Sequence, residues 1–216
     1  MKHHADAPKQ VSERETQKIL ELAEKSLEVE GDFVELGCYR GDTSVQLERL
    51  LEKHGFIGKH LENGEYQPPE KRLFIYDSFE GLPRRVQQDG SAAGTEFKEG
   101  ELLVTKREVV EKIKRFGLKL PIIKKGFFEN LDPATDLPAK ISFAFLDGDL
   151  YTSIRTSLKL VTPKLAKGAI LIIHDYNNPQ LQGVAKAVDE WRNGRDFQIF
   201  ETCAIIMVWK ITSAKL

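Results

Sequence analysis

Three carboxylates and an imidazole stand where two apolar runs end. Asp147 and Asp149 follow ISFAFL in Leu146-Asp147-Gly148-Asp149, and His174-Asp175 follows AILII. Neighbouring parallel strands lie about 4.8 Å apart, so Asp147 and Asp175 are expected to face one rim of a sheet. Two converging carboxylates repel unless one is protonated or a cation lies between them. Hard oxygen donors suit Mg²⁺ or Ca²⁺. His174 has three readings: ligand of a softer cation such as Zn²⁺, Mn²⁺ or Fe²⁺, general base, or hydrogen-bonding partner within the cluster. Asp149 could equally cap a helix that begins near Tyr151. Tyr151 and Tyr176 are expected either in an acceptor pocket or in packing.

A second set of residues suits a nucleoside. The run DFVELG ends in Glu35-Leu36-Gly37-Cys38-Tyr39-Arg40-Gly41, followed by Asp42-Thr43-Ser44 and a helix. Open α/β sheets bind ligands at the carboxyl ends of their strands. Glycines at the first turn let backbone approach a ligand closely. The pattern is acidic-x-Gly-x-x-x-Gly rather than the Gly-x-Gly-x-x-Gly of pyrophosphate binders. An acid at this turn would repel a pyrophosphate but suits an α-amino group, which adenosylmethionine has and NAD lacks. The alternative is an ordinary tight turn with Glu35 satisfied by local amides. Asp77 ends RLFIYD, where a carboxylate can accept both ribose hydroxyls; Asp77-Ser78 could instead start a helix cap or an Asx turn. Gly126-Phe127-Phe128-Glu129 ends a third run and offers an aromatic and an acid to an adenine, although paired Phe is more often core. The candidate cofactor residues are thus Glu35, Gly37, Tyr39, Gly41 and Ser44 at the first turn, Asp77 and Ser78 at the second, Gly126 and Phe127 at the third, and Asp147 at the fourth.

The elements that must position these residues alternate. Short Ile-, Phe- and Val-rich runs at 32–37, 72–77, 120–126, 141–147 and 169–175 read as strands covered on both faces. Helical spacing joins them around Val45–Leu51, Val109–Phe116, Ile154–Leu165 (with Gly168 as its stop signal) and Val184–Trp191. This alternation predicts a parallel sheet with right-handed crossovers. Two further runs, 196–200 and 203–210, have only Glu201 and Thr202 between them, so they must pair antiparallel or form one bent strand. A mostly parallel, doubly wound sheet of seven strands with an antiparallel last strand is the Rossmann-like architecture of class I methyltransferases. The expected organisation is a tail and amphipathic helix over residues 1–30 and one α/β domain over 31–216, with long loops at 55–71 and 82–101. Loops of that length often act as lids or binding loops.

Composition excludes several classes. Lys plus Arg is 32 and Asp plus Glu is 33, for a net charge of −1, so no nucleic-acid partner is expected. Hydrophobic residues at 41% exclude a wholly disordered chain. Cys38 and Cys203 cannot form a disulfide framework. No apolar run approaches the roughly 18 residues of a membrane helix, and no apolar signal core opens the sequence. The expectation is a cytoplasmic protein without membrane contacts; His3 and His4, which could be tag residues, are set aside.

FVELGCYRGDTS, IYDSFEGLP (75–83), EFKEGEL (96–102), KGFFENL (125–131), FLDGDLY (145–151) and TPKLAKGAILIIHDY (162–176) occur in the order of the macrocin O-methyltransferase family, which this chain resembles from about residue 30 to 192. The resemblance implies an S-adenosyl-L-methionine-dependent O-methyltransferase acting on a hydroxyl of a small acceptor, a sugar of a glycosylated secondary metabolite being the expected class. It implies a divalent metal, Mg²⁺ first, held by Asp147 and the pair at 174–175, with Asp149 matching the proposed base. The sequence departs from the pattern at His174, where the family has an acid; the ligand set becomes Asp147, His174 and Asp175, and His174 joins Asp149 as a candidate catalytic group. The alternatives are an oxidoreductase of the cephalosporin-hydroxylase type, with His174 helping to hold iron, and a non-catalytic nucleoside-binding module. A homo-oligomer, dimer or tetramer, is left open.

Overall fold

The computed structural model describes residues 10–56, 58–60, 65–67, 70–94, 97–193, 198–202 and 206–210. His3, His4 and Cys203 lie outside them. In chain order the elements are α1 (Glu13–Lys25), β1 (Asp32–Leu36), α2 (Asp42–Lys53), β2 (Lys59–His60), β3 (Tyr66–Gln67), β4 (Leu73–Asp77), α3 (Lys106–Arg115) and β5 (Ile122–Lys125). They continue as β6 (Ile141–Leu146), α4 (Tyr151–Val161), β7 (Leu165–His174), α5 (Gln182–Arg192), β8 (Gln198–Thr202) and β9 (Ile206–Lys210).

Seven strands form one sheet in the order β5-β4-β1-β6-β7-β9-β8. The first five are mutually parallel. β9 runs antiparallel to both β7 and β8. Strand order reverses at β1 and β6, the place where an open α/β sheet leaves a crevice at its carboxyl edge. Glu201 and Thr202, expected between the last two strands, belong to β8, and residues 203–205 lie outside the described residues.

The inner strands β1, β4, β6 and β7 are covered on both sides because they are apolar at successive positions. The edge strand β5, expected to be covered as well, is mostly exposed because its second half is Lys124-Lys125. Phe143 and Phe145 of β6 join Phe33, Ile75, Ile170 and Ile172 beneath α1, α2 and α3. Ala144 and Leu146 point the other way, into a cluster with Ile154, Leu158, Val184 and Val188 of α4 and α5. This is the period-two alternation of a strand serving two helical layers. Ile19, Leu22 and Ala23 of α1 are fully buried in the first cluster, so the N-terminal helix is part of the same packed unit as β1.

Two local expectations change. Residues 55–71, expected as a plain loop, contain the antiparallel β2–β3 hairpin. Gly168 does not stop α4. The helix ends at Val161 and a 3₁₀ turn carries Pro163 at its start; proline lacks the N–H an α-helix interior would need. β7 begins at Leu165, and Gly168, at φ +88°, sits where pairing with β6 slips from Ile141–Leu165 to Phe143–Ile170.

At the edge of the sheet opposite the strand carboxyl ends, Lys71 is only 5% exposed. Its ammonium donates to the Val29 carbonyl, to the Gly31 carbonyl at 2.6 Å and to Ser142 Oγ at 3.1 Å. This clasp ties the α1–β1 link to β6. Lys71→Met takes the ammonium from the Val29 and Gly31 carbonyls, leaving Gly31 only its bond from Ser142 Oγ, and should cost about 1–3 kcal/mol. Urea unfolding checks this; a variant as stable as the parent would mean that water replaces the ammonium without loss.

Candidate active site

The β1 and β6 turns cross almost in contact. Gly37 N–H donates to the Tyr76 carbonyl at 2.9 Å, and Asp147 N–H donates to the Leu36 carbonyl at 2.8 Å. Gly37 has φ +91°, and a Cβ there would lie 1.8 Å from the Asp147 carbonyl oxygen. Only glycine fits. Above the crossing opens a cavity of about 200 Å³. Backbone strain gathers at its walls: Tyr39, Leu102, Asp149 and Asp175 all line it and all have positive φ. Non-glycine residues hold such conformations only where their surroundings impose them, and such residues concentrate at functional sites.

Of the residues expected to bind a nucleoside, Gly37, Tyr39, Asp77, Ser78, Phe127 and Asp147 line the cavity. Asp77 Oδ2 accepts the Cys38 and Tyr39 amides at 2.9 and 3.1 Å, and Oδ1 accepts the Phe79 amide at 2.8 Å. The Asx turn considered for Asp77 therefore exists, and the same carboxylate also shapes the glycine turn. Phe128 and Glu129 are at the wall too.

Gly126, Gly41, Ser44 and Glu35 are not among the lining residues. Gly41, at φ +71°, is the N-cap of α2. Glu35 is fully buried below the turn, where Ser44 Oγ donates to its Oε2 at 2.5 Å, while its Oε1 has no partner. The expectation that Glu35 meets an α-amino group does not match this placement. One residue before the end of β1, its side chain is directed under α2 instead of out of the crevice.

The acid cluster forms on the other wall. Leu146 pairs with Ile173 across β6 and β7, so the next residues, Asp147 and His174, stand side by side. Continued strand alternation would send Asp175 away from His174. Its φ of +59° breaks the alternation and brings its carboxylate back. His174 Nδ1 then lies 3.1 Å from Asp147 Oδ1 and 2.9 Å from Asp175 Oδ2, with all three ligand atoms within 4.8 Å of one another. His174 Nε2 is buried without a hydrogen-bond partner, 3.8 Å from Glu15 Oε1. Burial alone would lower the imidazole pKa, but Asp147, then Asp175 and Glu15, hold it well above its ordinary value. Glu15 also closes the capping box of α1 by accepting the Ser12 amide at 2.7 Å, so the start of α1 is fixed against this cluster. Burial raises the Glu15 carboxyl pKa, but the neighbouring His174 imidazole and the bond from Ser12 outweigh it and leave the value at about 2.

Asp149 lines the cavity, and the N-cap of α4, Leu150, makes no side-chain cap bond. The two tyrosines expected near an acceptor are not at the wall. Tyr151 OH donates to Glu190 at 2.6 Å and Tyr176 OH to Asp189 at 2.9 Å, so both hold α5 in place. Much of the remaining wall comes from residues that the sequence did not single out: Leu82, Pro83 and Phe97 of the long second loop, Leu102 just beyond it, and Gln10 before α1. The length of that loop was the available signal. Nothing about Gln10 set it apart.

The profile of the Macrocin-O-methyltransferase (TylF) family matches residues 11–208. The chain belongs to this family. Two curated relatives are similar to it. One is the 8-demethyl-8-(2,3-dimethoxy-alpha-L-rhamnosyl)-tetracenomycin-C 4'-O-methyltransferase of Streptomyces olivaceus, 29% identical over 86% of this chain and 68% of the relative. The other is the demethyldecarbamoylnovobiocin O-methyltransferase of Streptomyces niveus, 26% identical over 76% of this chain and 59% of the relative. The chain thus spans about three-fifths to two-thirds of their lengths. The solved O-methyltransferase NovP shares the fold with a TM-score of 0.75 at 24% identity, covering 92% of this chain and 79% of that one. The protein is an adenosylmethionine-dependent O-methyltransferase of the class I, Rossmann-like fold. Among the described residues, no helix is long and apolar enough to cross a membrane.

Burial raises the Glu35 pKa from 4.5 to about 8; the Ser44 bond opposes the shift and the charges of Asp147, Asp77 and Asp42 add to it. The native chain therefore keeps a proton that the unfolded chain releases. This contribution to stability is complete below the unfolded value and fades as pH rises through about 8. Glu35→Gln keeps an acceptor for Ser44 and removes the titration. Its melting temperature should fall less than that of the parent between about pH 5 and pH 8. Parallel melting curves would place the proton elsewhere.

Proposed function

We propose that the enzyme methylates a sugar hydroxyl of a glycosylated secondary metabolite, using a divalent cation held by Asp147, His174 and Asp175. One observation carries this reading: Asp77 and the Asp147–His174–Asp175 cluster line the same cavity, so methyl donor and acceptor meet in one cleft. The relatives' names support the acceptor class, since the tetracenomycin enzyme acts on a rhamnosyl compound. The comparisons favour neither the oxidoreductase nor the non-catalytic alternative.

Bound adenosylmethionine supplies an electrophilic methyl group on a sulfonium. Asp77, Gly37 and Tyr39 would bind its nucleoside end. A neutral sugar hydroxyl is a weak nucleophile, so a group must take its proton as the oxygen–carbon bond forms. Asp149, on the cavity wall two residues beyond Asp147, is assigned that role. Leu82, Pro83 and Phe97 exclude water from the reacting atoms and set the acceptor's orientation.

The donor set suits a cation. Nδ1 lies between two carboxylate oxygens, a position that calls for a proton or a metal ion. With Nδ1 given to a metal, the ring proton would sit on the otherwise unpartnered Nε2, facing Glu15, the usual carboxylate support of a ligating histidine. A cation there would lower the pKa of a bound hydroxyl. Imidazole in place of an acid shifts preference from Mg²⁺ towards Mn²⁺ or Zn²⁺.

Labelled-methyl transfer to demethyldecarbamoylnovobiocin and to the rhamnosyl-tetracenomycin tests the acceptor class; transfer to neither, nor to other O-glycosides, would sink it. Asp149→Asn should lower turnover by about 10²–10⁴-fold while adenosylhomocysteine affinity stays near the parent's. Asp77→Ala should weaken adenosylhomocysteine binding at least about tenfold, because both a hydroxyl acceptor and the holder of the Cys38–Tyr39 turn are lost. After chelation, Mn²⁺ should raise the melting temperature more than Mg²⁺, and His174→Asp should reverse that order. No response to any divalent ion in either protein would remove the metal from the mechanism.

A further inference from the structure

α4 begins immediately after the Asp147-Gly148-Asp149 turn, and its own N-cap residue provides no cap. The cap arrives from elsewhere. Asp89, 2% exposed in the 3₁₀ turn Gln87–Asp89 of the second long loop, accepts the Tyr151 amide on Oδ1 at 2.7 Å and the Val86 amide on Oδ2 at 2.9 Å. A carboxylate at this end of a helix meets both the unpaired amides and the positive end of the dipole. The segment carrying it is tied down on several sides. Arg85 donates to the Asp89 carbonyl at 2.8 Å and to the Phe97 carbonyl at 3.1 Å. Lys186 of α5 donates to the Gln88 carbonyl at 2.9 Å, and Ser91 Oγ to the Pro179 carbonyl at 2.5 Å. The seat itself requires Gly183 of α5, because a Cβ there would lie 2.1 Å from Asp89 Oδ1.

We propose that Asp89 is a positioning residue for methyl transfer, capping α4 from the loop so that Asp149 is held at the cavity wall and in register with Phe97. The inference rests on the assignment of Asp149 as the base. Without Asp89, the Tyr151 amide at the start of α4 loses its acceptor, and the turn that carries Asp149, the residue before the N-cap Leu150, loses the anchor that fixes its exit into the helix. Asp149 would then no longer be held at the cavity wall. The loop containing Asp89 is accordingly a strapped wall, joined to α4 and α5.

The test compares Asp89→Ala, Asp89→Asn and Gly183→Ala in the full chain, with and without Asp149→Asn. Turnover is read by labelled-methyl transfer to demethyldecarbamoylnovobiocin or whichever glycoside the parent methylates, with amide exchange around Tyr151 and adenosylhomocysteine affinity measured alongside. Asp89→Ala and Gly183→Ala should lose exchange protection at Tyr151 and lower kcat about 10–10²-fold, with KM for adenosylmethionine nearly unchanged. Asp89→Asn keeps an acceptor for Tyr151 and should recover most of both, so the proposal stays testable even if the alanine variant folds poorly. In the Asp149→Asn background, Asp89→Ala should have no further effect on kcat. Parent-like kcat in Asp89→Ala, or an equal loss in both backgrounds, overturns the role of Asp89. Parent-like kcat in Asp149→Asn alone overturns the base assignment first and this proposal with it, so the two failures are told apart by that single variant.

Discussion

The contact between Gly37 and the Asp147 carbonyl is the constraint on which the site depends. The β1 turn carries the glycine loop and the β6 turn carries the acids, and the two chemistries share one cavity only because these turns cross without a side chain between them. The backbone bonds on either side, Gly37 to Tyr76 and Asp147 to Leu36, continue the parallel ladder to its last rung. A side chain at Gly37 would push the ends of β1 and β6 apart, displacing the Asp77 wall from the acid cluster.

The ionisable groups buried near this crossing form a connected set. Asp77 holds the amides of the first turn, Glu35 lies protonated beneath it, and His174 stands between Asp147 and Asp175 while facing Glu15. The two glutamates meet different environments and hold different charge states. Glu35 is surrounded by apolar packing and other acids, so it keeps its proton; Glu15 meets an imidazole and a backbone amide, so it does not. Lys71, at the far edge, is buried for another purpose and closes the base of the sheet through carbonyls.

The helices serve the site through their ends. α1 brings Glu15 to His174 through its capping box, α2 begins at the glycine turn, and α4 begins at the Asp147–Asp149 turn with a cap borrowed from the second loop. Helix starts present unpaired amides, so they need anions or hydroxyls. That need draws polar side chains to the rim where the cavity opens.

Much of this was legible from residue order alone. The strands at β1, β4, β6 and β7 were readable because residues buried on both faces must be continuously apolar, and the antiparallel close because no helix fits between β8 and β9. Asp77, Asp147, Asp149, His174 and Asp175 were legible because an acid or imidazole at the end of such a strand has one rim to face. Local pattern could not decide the rest. Whether Glu35 points into the crevice or under α2, and whether Tyr151 lines a pocket or binds Glu190, depends on which helix covers that strand end. That Asp175 folds back onto His174 depends on a left-handed residue that no periodicity announces. Asp89 and Gly183 stand far apart in sequence and meet only because the loop is laid across two helices. The sequence by itself determined the sheet, its order of chemistry and the family, because those follow from periodicity and from residue type at strand ends. Only the tertiary structure decided which carboxylates face the cavity and which are covered, because that depends on packing between segments remote along the chain.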